Sequence, residues 1–221
     1  MDLPADTSRH IQVLRLQPGA VITLFDGRGG EYEACVLQIG RQTVHVRIDS
    51  HQTLERESAV FSHVVMGMPA NERMDWLVEK ATELGVGRIT ALMTALGVVR
   101  LSADRALKRQ LHWQGIAQAA CAQAGRNTLP QIDVPQSWSA WLNTLVPDEG
   151  QSRWMLSLSA ACAPSATVVQ NNRVLLLSGP EGGLSREEEA QALERGFLPI
   201  SLGKRVLRAE TAPLAVLSRW L

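Results

Sequence analysis

Two apolar runs, each followed by a glycine-containing loop, place the strongest constraint on the fold of this chain. Residues 174–177 (VLLL) lead into residues 178–183 (SGPEGG), and residues 198–202 (LPISL) lead into residues 203–208 (GKRVLR). A short apolar run that stops at such breakers is typical of a buried strand that ends in a loop. The segment therefore predicts two strands with a loop at the carboxyl end of each.

A helix is predicted between these two strands. Ser185 and Glu188 have the spacing of a capping box, and Gly196 is a typical residue just beyond a helix end. Strand, helix and strand in this order indicate an open α/β sheet, in which ligands bind at the carboxyl ends of the strands. The two loops are therefore predicted to form one pocket.

The chain from residue 59 onward has the alternating pattern of an α/β domain. Further strands are predicted at residues 60–66, 88–94 and 154–159, and helices are predicted to begin after Asn71, after Ser102 and at residue 138. An apolar helix is predicted at residues 211–221, where its faces require a surface to pack against. The predicted class is α/β, with this domain spanning residues 59–221.

Residues 1–58 are predicted to form a separate, smaller domain. Residues 10–57 have the short runs and tight turns of β structure, including a glycine-rich turn at residues 26–30. This pattern predicts a small barrel, and the polar residues 51–58 are predicted to be the linker that follows it.

Composition excludes several classes of protein. Hydrophobic residues make up 45% and charged residues 20% of the chain, with 22 basic and 22 acidic side chains, which is typical of a globular protein and not of a generally cationic nucleic-acid binder. We expect no membrane span, no signal peptide and no disulfide framework, and hence a cytoplasmic protein. The five histidines lack metal-ligand spacing, so no metal is expected, and His63 is predicted to be a hydrogen-bonded core or edge residue rather than a ligand.

Five sequence blocks resemble one enzyme family. They are SGPEGGLS at 178–185, LGKRVLRAET at 202–211, ERMDWLVEKATELGV at 72–86, CAQAGRN at 121–127 and VLRLQPG at 13–19. Together they resemble the RsmE family of SPOUT methyltransferases, which methylate N3 of a uridine in small-subunit (16S) ribosomal RNA. The resemblance implies a trefoil-knot SPOUT domain, an amino-terminal PUA-like β-barrel that binds RNA, S-adenosylmethionine as cofactor, and a homodimer.

The two loops supply the expected cofactor site. Glycines there would allow the backbone to approach a flat ligand closely, although an ordinary strand-to-helix turn would also use them. The residues that the resemblance assigns to the cofactor are Leu177, Ser178, Gly179, Pro180, Glu181, Gly182, Gly183, Leu202, Gly203, Val206, Leu207, Arg208 and Thr211.

Three residues are candidates for the chemistry: Arg208, Arg126 and Glu210. Arg208 would stabilise the negative charge that develops on the uracil, or bind an RNA phosphate. Glu210 is a candidate general base, and a base-free mechanism assisted by arginines is the alternative. Each residue also has a possible structural role without catalysis. Arg208 and Glu210 could form a surface ion pair, and Arg126 could interact favourably with the carboxyl end of the helix that precedes it.

Other functions stay open at this point. One is methylation of another RNA position, such as a ribose 2′-hydroxyl, and another is a non-catalytic RNA-binding or assembly protein that keeps the pocket. Ala122 stands where the family usually has an acidic residue, and Ala70-Asn71 replaces a usual lysine-glycine pair. The first change affects any proton relay through that block.

Overall fold

The computed structural model describes residues 1–70, 72–146, 150–158, 163–164 and 169–220. The chain forms two compact units. The first comprises Met1–Arg56 together with Gly125–Thr128, and the second comprises Glu57–Ala124 and Leu129–Leu221. The first unit is therefore assembled from two separate parts of the sequence.

The first unit consists of a helix and a three-stranded antiparallel sheet. The helix is α1 (Ala5–Val13), and the strands, in sheet order, are β1 (Val21–Leu24), β2 (Glu31–Ile39) and β3 (Val44–Gln52). Alternating inward residues of β2 and β3 form one apolar core with Ile11 of the helix and with Leu3, which precedes it: Leu3, Ile11, Ala34, Val36, Val44 and Val46. The strands predicted at residues 20–25, 32–39 and 43–48 are confirmed as β1, β2 and β3.

Helix α1 corrects the prediction that β structure begins near residue 10. No side chain caps the helix at Pro4, and only Ser8 and Ile11 are buried, so the sequence carries a weak helical signal. Tertiary contacts stabilise it, since Ser8 Oγ donates to the Leu3 carbonyl and accepts from the Val44 amide, both at 3.1 Å. A second correction is that β3 includes His51 and Gln52, which the polar composition assigned to the linker.

The second unit contains a parallel sheet with helices on both faces. Its strands are β4 (Phe61–Gly67), β5 (Arg88–Met93), β6 (Gln131–Ile132), β7 (Gln136–Ser137), β8 (Ser152–Leu156), β9 (Ala163–Pro164), β10 (Arg173–Ser178) and β11 (Leu198–Ser201). Its helices are α2 (Arg73–Glu83), α3 (Ala103–Ala124), α4 (Trp138–Thr144), α5 (Arg186–Glu194) and α6 (Thr211–Leu217). The sheet order is β6-β5-β4-β10-β8-β11-β9, and β7 also pairs with β5.

Strand β10 lies at the centre of this sheet, between β4 and β8, and is buried on both faces. Its even-numbered apolar residues Val174 and Leu176 join the core formed with α2, α3 and α6, and its odd-numbered residues Leu175 and Leu177 join the core formed with α4 and α5. Burial on both faces explains why this strand is a continuous apolar run rather than an alternating one.

Several predicted boundaries of the second unit are confirmed. Ser185 Oγ accepts from the Glu188 amide at 3.2 Å, and the Glu188 carboxylate accepts from the Ser185 amide at 2.9 Å, which is the expected capping box. Gly196 has a φ of +80° just beyond α5. The expected cap at Asn71 and the predicted strand end at Ser159 lie outside the described residues.

Helix α6 changes the argument for a dimer. It is shorter than predicted and continues as a 3₁₀ turn at Ser218–Trp220. Pro213, Leu214, Val216 and Leu217 are buried within the unit, against α2 and β10. The apolar terminal helix therefore finds its packing surface in its own chain, so its apolar character gives no reason to expect a second subunit.

A polar cluster crosses three neighbouring strands at His63 in β4, Thr90 in β5 and Asp133, which follows β6. His63 Nε2 lies 2.7 Å from Thr90 Oγ1, the Thr90 hydroxyl donates to Asp133, and Arg88 Nε donates to the same carboxylate at 2.8 Å. Desolvation, and secondly the charge of Arg88, lower the pKa of His63 from 6.5 to about 4, against an opposing effect of Asp133. The prediction of a hydrogen-bonded histidine is confirmed.

Candidate active site

The predicted loops lie at the carboxyl edge of the parallel sheet, but they do not follow neighbouring strands. Strand β8 separates β10 from β11, so about 10 Å separates the points where the two loops begin. The segment after β8, which starts at Ser157, therefore belongs to the same edge, and the Ser157 amide donates to the Ile200 carbonyl at 3.0 Å. No residue pattern pointed to this segment, since the only signal was the strand before it.

The glycines of the two loops have different local roles. A side chain at Gly179 would meet the backbone of Gly183 at 2.7 Å, and one at Gly182 would meet Leu96 at 3.3 Å. By contrast, a Cβ at Gly183 or Gly203 would meet no atom within 4 Å, and these residues have φ values of +73° and +111°. Gly183 and Gly203 thus leave open backbone surface for a ligand, whereas the other two glycines are explained by packing within the protein.

The side chains of several predicted cofactor residues point into the protein. Leu177, Ser178 and Pro180 are buried, and Pro180 packs against Gly67 of β4. Such residues can offer a ligand only their backbone groups. In the second loop, Leu202 and Leu207 are half-buried, whereas the Val206 side chain is 75% exposed.

Glu181 fastens the first loop to the start of α2. Its Oε1 accepts from the Ala70 amide at 3.0 Å and from Arg73 Nη1 at 2.8 Å. These contacts occupy the carboxylate oxygen with protein donors, and they hold the Arg73 guanidinium in a fixed place. Glu181 therefore has a structural contact that the sequence did not reveal.

An open cavity of about 530 Å³ joins α2 to the end of the second loop. It is lined by Glu72, Arg73, Trp76, Arg208, Glu210 and Thr211. Arg208, Glu210 and Thr211 were predicted site residues, and the structure brings them together. No role was assigned to Glu72, which precedes α2, or to Arg73 and Trp76 of α2, although all three belong to the ERMDW sequence block.

Glu210 is the unusual group in this cavity. It is only 7% exposed, and its Oε2 accepts no hydrogen bond within the described residues. Burying an unpaired carboxylate oxygen destabilises a protein, so such a group is expected where a ligand supplies the missing donor. No ion pair joins Glu210 to the exposed Arg208 in the part of the chain that the structure describes.

Arg126 belongs to the first unit, unlike the other two candidates for the chemistry. Its side chain is buried, and the residues beside it are fixed within that unit. The Gly125 carbonyl accepts from Arg56 at 3.1 Å, and Asn127 Nδ2 donates to the Leu54 carbonyl at 2.6 Å. Its role as a site residue stays a prediction.

Within the residues that the structure describes, no group of three or more histidine, cysteine, aspartate or glutamate side chains could hold a metal ion. No described helix combines the length and apolarity that a membrane crossing requires.

The parallel sheet, with glycine loops and a cavity at the carboxyl ends of its strands, defines a ligand-binding protein of the open-sheet α/β class. A model of the RNA methyltransferase domain matches residues 56–221, and a model of the RNA methyltransferase PUA domain matches residues 3–49. The chain belongs to this family of RNA methyltransferases. The resemblance and the α/β class inferred from the sequence are confirmed, whereas the knot and the barrel stay predictions.

Individual relatives agree with this assignment. Ribosomal RNA small subunit methyltransferase E of Buchnera aphidicola subsp. Schizaphis graminum is 30% identical over 207 residues, which cover 94% of this chain and 83% of the relative. The enzyme of the same name from Neisseria gonorrhoeae, solved bound to S-adenosylmethionine, is 34% identical with a TM-score of 0.91, covering 99% of this chain and 90% of that one. A Legionella pneumophila putative methyltransferase, solved with the same cofactor, is 32% identical with a TM-score of 0.89, covering 100% and 90%.

Proposed function

We propose that this enzyme methylates N3 of a uridine in the 16S RNA of the small ribosomal subunit, with S-adenosylmethionine as the methyl donor. The observation that carries the proposal is the match of the RNA methyltransferase domain to residues 56–221. The relatives named small subunit methyltransferase E support ribosomal RNA as the substrate. The position N3 follows from the family that the sequence blocks resemble.

The loops after β10 and β11 are proposed to hold the cofactor. Gly183 and Gly203 support this assignment, because the space beside their backbones is free of protein atoms. When bound, S-adenosylmethionine supplies a methyl group on a positively charged sulfur, which keeps the bonding electron pair when the methyl leaves. The proposed contacts of Leu177, Ser178 and Pro180 are through their backbone groups, and those of Leu202 and Leu207 are through their apolar side chains.

Two charged residues are proposed to act on the acceptor base. N3 of uracil carries a proton near neutral pH, and the Glu210 carboxylate is the candidate to accept it. Arg208 would stabilise the negative charge that moves onto the uracil carbonyls, which helps most when that charge is fully developed. Arg126 stays a third candidate through the family resemblance alone.

Single-turnover methylation of small ribosomal subunits, with mass spectrometry of the nucleosides, tests the activity. We expect N3-methyluridine, and we expect Arg208→Ala to lower kcat by roughly 100-fold with little change in cofactor affinity. Arg205→Ala is the matched control, because Arg205 is exposed in the same loop but does not line the cavity. A ribose-methylated product would favour the alternative acceptor, and RNA binding without any methylated product would favour a non-catalytic assembly protein.

The first unit is proposed to be a PUA-like β-barrel that contacts RNA. Arg47 and Arg56 are paired with Asp49 and Glu31, which offsets their charges. Arg9, Arg15, Arg28 and Arg41 are exposed and form no ion pair within the described residues. Arg9 and Arg15 lie within three residues of Gln12 in the sequence. Gln12 Nε2 donates to the carbonyls of Gly40 and Arg41 at 2.8 and 3.4 Å, which brings Arg41 to the same end of the unit. This end of the unit is the proposed RNA contact.

Three further properties belong to the same proposal. A trefoil knot is supported by the family resemblance, and an experimental electron-density map would test it by tracing the chain around β10.

A homodimer is supported by Leu107 and Leu111, which are 50% and 68% exposed on one face of α3. Light scattering should then give twice the 24.2 kDa mass of the chain. A cytoplasmic location follows from the ribosomal substrate, and cell fractionation tests it.

A further inference from the structure

The cavity lined by α2 and the second loop has the groups that would recognise one particular base edge. Uracil presents a hydrogen-bond donor, N3–H, between two carbonyl acceptors. Its lining includes an acceptor side chain, the Glu210 carboxylate, whose Oε2 is buried without a partner among the described residues, and a donor side chain, the exposed Arg208 guanidinium. Its volume of about 530 Å³ is ample for one pyrimidine base with its sugar.

We propose that this cavity receives the target uracil, turned out of the RNA stack, and that Glu210 determines that the base is uracil. Enzymes that modify a base commonly extrude it in this way, because the reacting atom is otherwise enclosed. The inference rests on the proposed methylation of a uridine, and it adds the residues that select the base. The Glu210 carboxylate accepts N3–H, Arg208 donates to a neighbouring carbonyl, and Trp76 stacks on the ring.

The buried carboxylate discriminates between the two pyrimidines. Cytosine has an unprotonated N3, which would place a lone pair against the Glu210 carboxylate and leave both acceptors without a donor. A site built to pair with a donor rejects an analogue that lacks it, since its own polar group is then buried and unpaired. Glu210 therefore has a reason to be buried without a protein partner.

Trp76 supplies the flat apolar surface that a base needs. Its side chain is 43% exposed although it is a large aromatic residue, and it lies one helical turn after Arg73 on α2. Arg73 is held by Glu181, so the wall that contains Trp76 is fastened to the first loop. Stacking on Trp76 tolerates any base, so it contributes affinity while Glu210 contributes selectivity.

The same arrangement accounts for the proton. When the N3–H bond breaks, its electron pair stays on the ring nitrogen, where it is available for the new bond to carbon. The proton passes to the Glu210 carboxylate. Glu210 is thus both the recognition group and the proton acceptor.

The test compares binding of two RNA decamers, oligouridine and oligocytidine, to the full-length protein by fluorescence anisotropy. The wild-type protein should prefer oligouridine by about 10-fold or more, the effect of one hydrogen bond to a charged group. Glu210→Gln should lose this preference, because the amide can donate to cytosine N3. Glu72→Gln is the matched control, since it removes an equal charge from an exposed position in the same cavity and should keep the preference.

Trp76 gives a second, independent measurement. Trp76→Ala should weaken binding of both decamers by roughly 10-fold with an unchanged ratio, and Trp76→Phe should restore most of the affinity. Equal affinity of the wild-type protein for the two decamers, or an unchanged preference in Glu210→Gln, would overturn the inference. Failure of the proposed function is a separate result: the wild-type enzyme would then leave small ribosomal subunits unmethylated.

Discussion

At the scale of single residues, the second unit contains two ionisable side chains that are removed from water in different ways. His63 has partners in the neighbouring strand, and its lowered pKa shows that the protein keeps it neutral. Glu210 has a carboxylate oxygen with no partner among the described residues. The first arrangement stabilises the fold, whereas the second destabilises it and is retained where a ligand is proposed to bind.

His63 makes the stability of the protein depend on pH. In the unfolded chain its pKa is about 6.5, and in the folded chain it is about 4, so between these values the unfolded state binds more protons. The free energy of unfolding should therefore fall as the pH is lowered from about 6.5 to about 4, by about 2–3 kcal/mol. Its contribution is complete above pH 6.5 and is lost at about pH 4.

Urea denaturation at a series of pH values would measure this effect. His63→Gln can still donate a hydrogen bond to Thr90 but has no ionisable group, so its stability should fall less steeply with decreasing pH. Parallel curves for the two proteins would show that other groups cause the acid sensitivity.

At the scale of elements, the sequence predicted those whose signals are local. The VLLL run of β10 and the capping box of α5 were found because burial on two faces and cap geometry each leave a short, direct pattern. Helix α1 was missed because distant contacts, such as the Val44 amide on Ser8, stabilise it. The α2 side of the cavity was missed for a similar reason, since no local pattern shows that Trp76 and Glu210 line the same space.

The glycine loops permit a controlled test of the cofactor site. Gly183 and Gly196 have similar φ values, +73° and +80°, and a Cβ at either would meet no atom within 4 Å. Each change to alanine should therefore cost a similar amount of stability, about 1–2 kcal/mol, from the left-handed backbone. Only Gly183→Ala should also lower affinity for S-adenosylmethionine, by roughly 10-fold or more, because a methyl group would fill the space left for the ligand.

Isothermal calorimetry with S-adenosylhomocysteine and thermal denaturation would provide the two measurements. Equal cofactor affinity in both variants would show that the cofactor does not bind beside Gly183 in the loop after β10.

At the scale of the whole molecule, charge is balanced in number but not in position. Residues 1–56 contain six arginines and seven acidic residues, so the amino-terminal unit has no general attraction for RNA. An attraction can arise only where arginines lie without acidic partners, as Arg41 does and Arg47 does not. The position of the ion pairs, which the sequence did not reveal, therefore decides which arginines are available.

Substitution of these two arginines should separate the alternatives. Arg41→Gln and Arg47→Gln change the formal charge equally, and both positions are exposed in the same unit. We expect Arg41→Gln to reduce the slope of log K against log salt for ribosomal RNA binding by about 1, as the loss of one phosphate contact would, and Arg47→Gln to change it much less. A similar decrease of the slope in both variants would show that the ion pair of Arg47 does not affect its contribution to RNA binding.

The first unit depends on a short segment that is distant from it in the sequence. Its four residues Gly125–Thr128 arrive from the far end of α3, where Asn127 bonds to the Leu54 carbonyl and accepts from the Gly29 amide. A cut near residue 58 would therefore remove the partners of this short segment while leaving the segment behind. The amino-terminal unit is therefore not one continuous segment that can be deleted or exchanged alone. A chimera that exchanges residues 1–56 must also exchange the tetrapeptide Gly125–Thr128.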